Sequence, residues 1–200
     1  PSVDSIPGDK LTAYPPNTIG IRFRVEHLDG GITEKQMEVM KQLFDLGILF
    51  DRLTNLQHFK QSFEQTSKKE IAYRGIPEIT SETVLTDIIN TSLMIASQGK
   101  FFDEAKLYPN ISTGLTQLKS YIYTGAFRSD EAVLASSKAA YMAAMILSSY
   151  NDEIARWQQG DEIKKYFIEP IEYQFLNKRR NIPGSPLFYW HQALTLLGKL

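Results

Sequence analysis

Three lone histidines, a few neighbouring carboxylates and three short basic clusters are the groupings in this 200-residue chain that bear on chemistry. His27, His58 and His191 show no His-x-x-x-His or Glu-x-x-His spacing, so no helical turn offers a metal two ligands. An isolated histidine ordinarily sits at the surface or in a hydrogen bond, and no metal site is expected. There is no cysteine. That removes disulfides, thiol nucleophiles and the usual sulfur ligand of zinc. A Gly-x-Ser-x-Gly elbow, a Walker-type phosphate loop and a Gly-x-Gly-x-x-Gly fingerprint are all missing. Gly30-Gly31 ahead of a helix could cradle an anion, but two glycines serve a turn more simply. Asp152-Glu153 and Asp161-Glu162 adjoin expected helix ends, and Pro170 interrupts the helical spacing of Glu169 and Glu172. No catalytic residue and no cofactor follow from these groups.

The basic clusters are Lys68-Lys69, Lys164-Lys165 and Lys178-Arg179-Arg180. The last precedes a Pro183-Gly184 loop and the aromatic run Phe188-Tyr189-Trp190. Together with Arg22 and Arg24 on the outward face of a strand, this composition suits single-stranded nucleic acid, provided the patches converge. A net charge of −1 and 23 acidic residues give no general attraction to a polyanion. Nucleic-acid binding through Arg22, Arg24, Lys178, Arg179 and Arg180 is therefore the second reading.

The elements that carry these groups are mostly helical. The composition, 42 % hydrophobic and 22 % charged, fits one folded domain. Residues 1–17 hold Pro1, Pro7, Pro15 and Pro16 and few large apolar groups. They read as an extended proline-rich arm ahead of a single helical domain, 18–200. Such an arm offsets its ordering entropy only by lying on something, its own domain or a neighbouring subunit. Ile19, Ile21, Phe23 and Val25 alternate with Gly20, Arg22, Arg24 and Glu26, a half-buried strand. Asp29-Gly30-Gly31 then turns the chain. The best second strand is 71–76, and an isolated strand leaves its ladder groups for another chain.

Thr33 caps a helix from Glu34 that Gly47 bends and that continues over 48–63, with a connector at 66–77. Thr80 or Ser81 caps the next, stopped by Gly99, and a short turn covers 101–108. Another helix spans 112–124, closed by Gly125. Ser129 caps the longest, to about Gln159. Asp161 caps one that bends near Pro170, and Ser185-Pro186 opens the last, to Gly198. The expected fold is mainly α: a multi-helix antiparallel bundle-like domain with an N-terminal extended arm and a minor β strand or hairpin.

The long helix carries Ala132, Ser136, Ala140, Ala144 and Ser148 four apart, beside Ala135, Ala139 and Ala143. Two ridges of small side chains admit another backbone closely, within the bundle or between symmetric copies. The expected role is a non-enzymatic structural or assembly subunit of a larger homo- or hetero-oligomer, a phage or virus particle being one setting. Its contacts would be the arm at Tyr14, Pro15 and Pro16, the strand at Ile19, Ile21, Phe23 and Val25, and the ridge at Ala132, Ser136, Ala140 and Ala144. The alternatives are the nucleic-acid surface and an enzyme whose site is scattered along the chain. No apolar run reaches the roughly 18 residues of a membrane span. A soluble protein, cytoplasmic or particle-associated, is expected. No signal peptide is visible, and Pro1 fits a start from which methionine was removed.

Overall fold

A helix with almost no side chain larger than methionine runs through the middle of the molecule. The computed structural model describes residues 3–103, 106–122 and 127–200. Among them the chain forms seven α-helices, two 3-10 helices and a two-stranded antiparallel sheet, a mainly α, bundle-like fold. The central helix is α6 (Ser129–Leu147), which packs against α4 (Ser81–Ser97), α7 (Pro186–Leu196) and α2 (Gln36–Arg52). Ala132, Ser136, Ala140 and Ala144 are all 0 % exposed, so the small-residue ridges lie inside the chain's own bundle. At the α2 crossing, a Cβ on Gly47 would stand 3.0 Å from that of Ala135. The small pair sets this close approach, and α2 runs through Gly47 without ending. The serines of α6 return their hydroxyls to the helix: Ser136 donates to the Val133 carbonyl and Ser137 to that of Leu134.

Lys138 is the one charged residue between Glu131 and Asp152, and it too is buried. Its ammonium donates to both carboxylate oxygens of Asp51, at 2.7 and 2.8 Å, and lies 5.7 Å from the ring centres of Phe50 and Tyr189. The lysine is 8 % exposed and the aspartate 54 %, so the pair ties α2 to α6 with one end in water.

The N-terminal segment is where sequence and structure part most. Residues 1 and 2 of the expected extended arm lie outside the described residues; the following ones do not form an arm. Ile6–Ala13 is a helix, α1, with Pro7 in the first turn, where no amide hydrogen is needed. It packs on α3 (Leu56–Arg74) and α2. Gly8 permits this: a Cβ there would stand 2.6 Å from the Phe63 nitrogen and 2.7 Å from the Phe59 carbonyl oxygen. Leu11 and Tyr14 are 0 % exposed, and Pro15 and Pro16 are buried beside them. Few apolar residues suffice because helical spacing puts them on one face.

The expected strand over 19–26 is three residues long, β1 (Arg24–Glu26), and its partner is β2 (Ile32–Glu34). Its first half is tied instead to the end of α1: Gly20 donates to the Pro15 carbonyl and Ile21 to that of Ala13. Because Ile32–Glu34 is strand, α2 starts at Gln36 and Thr33 caps nothing. The supposed strand over 71–76 and the connector over 66–77 fall largely in α3, which ends on Gly75 in the left-handed region. α4 begins as expected, with a reciprocal Thr80–Thr83 capping box. α5 (Tyr108–Leu118) starts before the expected Ser112, with Pro109 in its first turn, and ends before the expected Thr124. That stop, Gly125, lies outside the described residues. α6 ends at Leu147 because Ser149 turns left-handed and the Tyr150 amide closes on the Met145 carbonyl. The helix expected from Asp161 is two 3-10 segments, Ile163–Tyr166 and Ile171–Arg179, separated at Pro170.

Candidate functional site

The β1–β2 hairpin projects from a base that it shares with α1, α3 and α5, with most of its side chains in water. Arg24, Val25 and Glu26 face Glu34, Thr33 and Ile32. The Lys35 amide donates to the Phe23 carbonyl at the base, and the His27 amide to the Gly31 carbonyl at the tip. Ladder bonds therefore fall on Phe23, Val25 and His27. The amide and carbonyl groups of Arg24 and Glu26 point outward, and no third strand meets them among the described residues. Residues 28–30 form the loop, with Gly30 at φ 82° and the Asp29 carboxylate accepting from the Gly31 amide. This is the three-residue connection that needs one left-handed position.

The base of the hairpin is fixed. Phe23 is buried, and Arg74 donates to the carbonyls of Ile19 and Gly20 at 2.7 and 3.1 Å. A Cβ on Gly20 would meet the Pro15 carbonyl oxygen at 2.4 Å. Beyond that base the side chains lie in water: Arg24, Glu26 and all three β2 residues are exposed, and Val25 is half-buried. Arg24 pairs with Glu34 across the strands at 3.2 Å, and His27 with Thr33 at 2.7 Å. Leu28 at the tip is fully exposed and Ile32 is 49 % exposed.

Beside the base lies a cavity of about 470 Å³ lined by Pro16, Arg22, Phe23, Gln36 and Leu107 among others. It shares Asn17 and Leu107 with a groove of about 400 Å³ that continues along α4 past Asn90, Met94 and Phe102. Asp87 lies beneath that groove. It accepts from the Asn17 amide and side chain, at 2.9 and 2.8 Å, and from the Thr18 and Thr91 hydroxyls. Burial pushes its carboxyl above the ordinary range, and the Asn17, Thr18 and Thr91 donors oppose that. All its partners belong to the fold, so Asp87 fixes the segment leaving α1. Gln36 is buried, and its Oε1 has no hydrogen-bond partner among the described residues.

The residues expected at an interface divide between two fates. Tyr14, Pro15, Pro16, Ile19 and Phe23 are buried within the chain, Ile21 at the hairpin base and Val25 in β1 are half-buried, and the α6 residues are fully internal. The basic residues lie on two parts of the fold. Arg22 and Arg24 lie on the hairpin, whereas Arg179 donates to the Ala96 carbonyl of α4. Lys178 and Arg180 are exposed at the end of the second 3-10 segment. Among the described residues no group of three His, Asp or Glu side chains can hold a metal ion. His27 and His58 are exposed; His191 packs edge-on against Tyr166, with its titration lowered by burial. The carboxylates Asp152, Glu153, Asp161, Glu162, Glu169 and Glu172 all face solvent.

Three residues escaped the sequence reading. Asp87 sits among Val84, Leu85, Ile88 and Ile89, where a carboxylate on an apolar arc signals a buried network. Lys138 stands alone in a charge-free stretch. Leu28 gave no signal, because a leucine beside a turn is ordinary. None of the helices among the described residues is long and apolar enough to cross a membrane. No protein-family model matches the chain, and no similar curated protein or solved structure was found.

Proposed function

We propose that the chain is a non-enzymatic assembly subunit, and that the β1–β2 hairpin is the part it offers to a neighbour. One observation carries this: a two-stranded hairpin with unpaired outer edges holds a fully exposed leucine at its tip and a half-exposed isoleucine beside it. A free strand edge is a template for another strand, and exposed apolar groups beside it favour pairing over solvation. The hairpin replaces the arm and the α6 ridge as the contact, since those are buried in the chain itself.

Light scattering across a concentration series tests the proposal. The full chain should exceed its monomer mass at high concentration, and Leu28→Ser with Ile32→Ser should return it to monomer at an unchanged melting temperature. A monomer at every concentration, or an oligomer indifferent to the double variant, overturns it.

A second reading, single-stranded nucleic-acid binding, has one observation in its favour: the cavity beside Arg22 and Arg24 runs into the groove that Phe102 lines. Affinity for an oligonucleotide that falls steeply with salt is its expected signature.

A further inference from the structure

The hairpin's register identifies a specific occupant for its free edge. We infer that the partner is a second copy of this chain, joined through antiparallel pairing of β1 with β1 about Val25; this rests on the assembly role proposed above. The outward groups of β1 belong to Arg24 and Glu26. An antiparallel pair in which residue numbers sum to 50 sets Arg24 opposite Glu26 of the copy, and Glu26 opposite its Arg24. Those residues then exchange amide-to-carbonyl bonds in both directions, as the geometry of a hydrogen-bonded pair requires. Val25 meets Val25 at the two-fold axis. The other edge lacks this fit: β2 paired with itself about Thr33 would set Ile32 against Glu34.

Charge favours the β1 register too. Side chains directly opposite in a sheet share a face, so each Arg24 stands between Glu34 of its own hairpin and Glu26 of the copy. Glu26 has no ion-pair partner among the described residues. The four strands would form one sheet of order β2-β1-β1-β2, which is closed and isologous. The two hairpins point in opposite directions, so the helical bodies sit at opposite ends of the sheet.

The same register explains the exposed leucine. Beyond the paired residues, the loop that carries Leu28 of the copy lies beside the hairpin base at Arg22. Arg22 lines the cavity of about 470 Å³ that Pro16, Phe23 and Leu107 also line. The tip of each hairpin therefore comes to the mouth of the cavity at the base of the other, which offers Pro16, Phe23 and Leu107 beside the more numerous polar groups such as Arg24 and Glu34.

Sedimentation equilibrium of the full chain and three variants tests the register. Glu26→Arg sets like charges opposite each other twice per dimer and should weaken association about tenfold or more. Adding Arg24→Glu restores opposite charges across the dimer while removing the Arg24–Glu34 pair within each hairpin, and should recover part of that loss. Glu26→Pro removes an outward amide while leaving the ladder amides of Val25 and His27 in place, and should abolish association without altering the circular dichroism of the helices. If the chain associates but the double charge variant is no tighter than Glu26→Arg, the register is wrong and the assembly role stands. If the unaltered chain is monomeric throughout, both fall.

Discussion

Two adjoining stretches of this chain have opposite environments. Residues 3–20 are rich in proline and poor in large apolar groups, yet they are folded into the body, with Leu11 and Tyr14 fully buried. Residues 24–34 begin in an apolar-polar alternation, yet they stand in solvent with Leu28 fully exposed. Burial here follows position relative to the helices more closely than local composition. In α1, four or five well-spaced groups and a glycine at the contact suffice, because α2 and α3 provide the opposite face. The hairpin meets the helices only near its base, through Ile21, Phe23 and Val25, so the rest of it has nothing to fold against.

The largest expected effect comes from removing the first region. A chain beginning at Thr18 should lose its cooperative thermal transition, because α1 and Tyr14 cover the faces of α2 and α3. A truncated chain that melts like the full one would make residues 3–17 an arm after all. Tyr14→Ala tests the same point by a single side chain. Its ring is fully buried with its hydroxyl 3.5 Å from the Ser92 hydroxyl, and its loss should cost about 3–5 kcal/mol of unfolding free energy in a denaturant titration. An effect under about 1 kcal/mol would contradict its place in the core.

A smaller effect concerns the start of α1. Asp4 accepts from the amides of Asn55 and Thr54, at 3.0 and 2.7 Å, and those backbone donors hold its carboxyl below its ordinary value of 3.8. A carboxyl lowered by folding stabilises the fold above its unfolded value, and that contribution disappears as pH falls through the lowered folded value. Acid titration followed by NMR should therefore move the Thr54 and Asn55 amide signals with a midpoint below 3.8. Amide signals that move near neutral pH, or not at all, would contradict the contact.

The helical class, the cap of α4, the proline start of α7 and the turn at Gly30 were legible in the sequence because each rests on local chemistry. The α6 ridge was legible as tight packing, but its partner was not, since Gly47 is 88 residues away in sequence. The run from Ile19 to Val25 reads as one strand by period two. The bonds from Gly20 and Ile21 back to Pro15 and Ala13 divide it, and those depend on where α1 ends. For the candidate site, Val25 and the arginines were picked out as strand residues, whereas the exposed tip and free edge depend on what the helices leave uncovered.

Hydrogen exchange of the backbone amides, followed residue by residue at low and high protein concentration, tests the contrast between the two regions most directly. The amides of α1 and α3 should be protected equally at both concentrations. Those of Arg24 and Glu26, unpaired in a single chain, should exchange freely when dilute and become protected when concentrated. Exchange at α1 as fast as in an unfolded segment, or concentration-dependent protection anywhere but the hairpin and the cavity at its base, would contradict it.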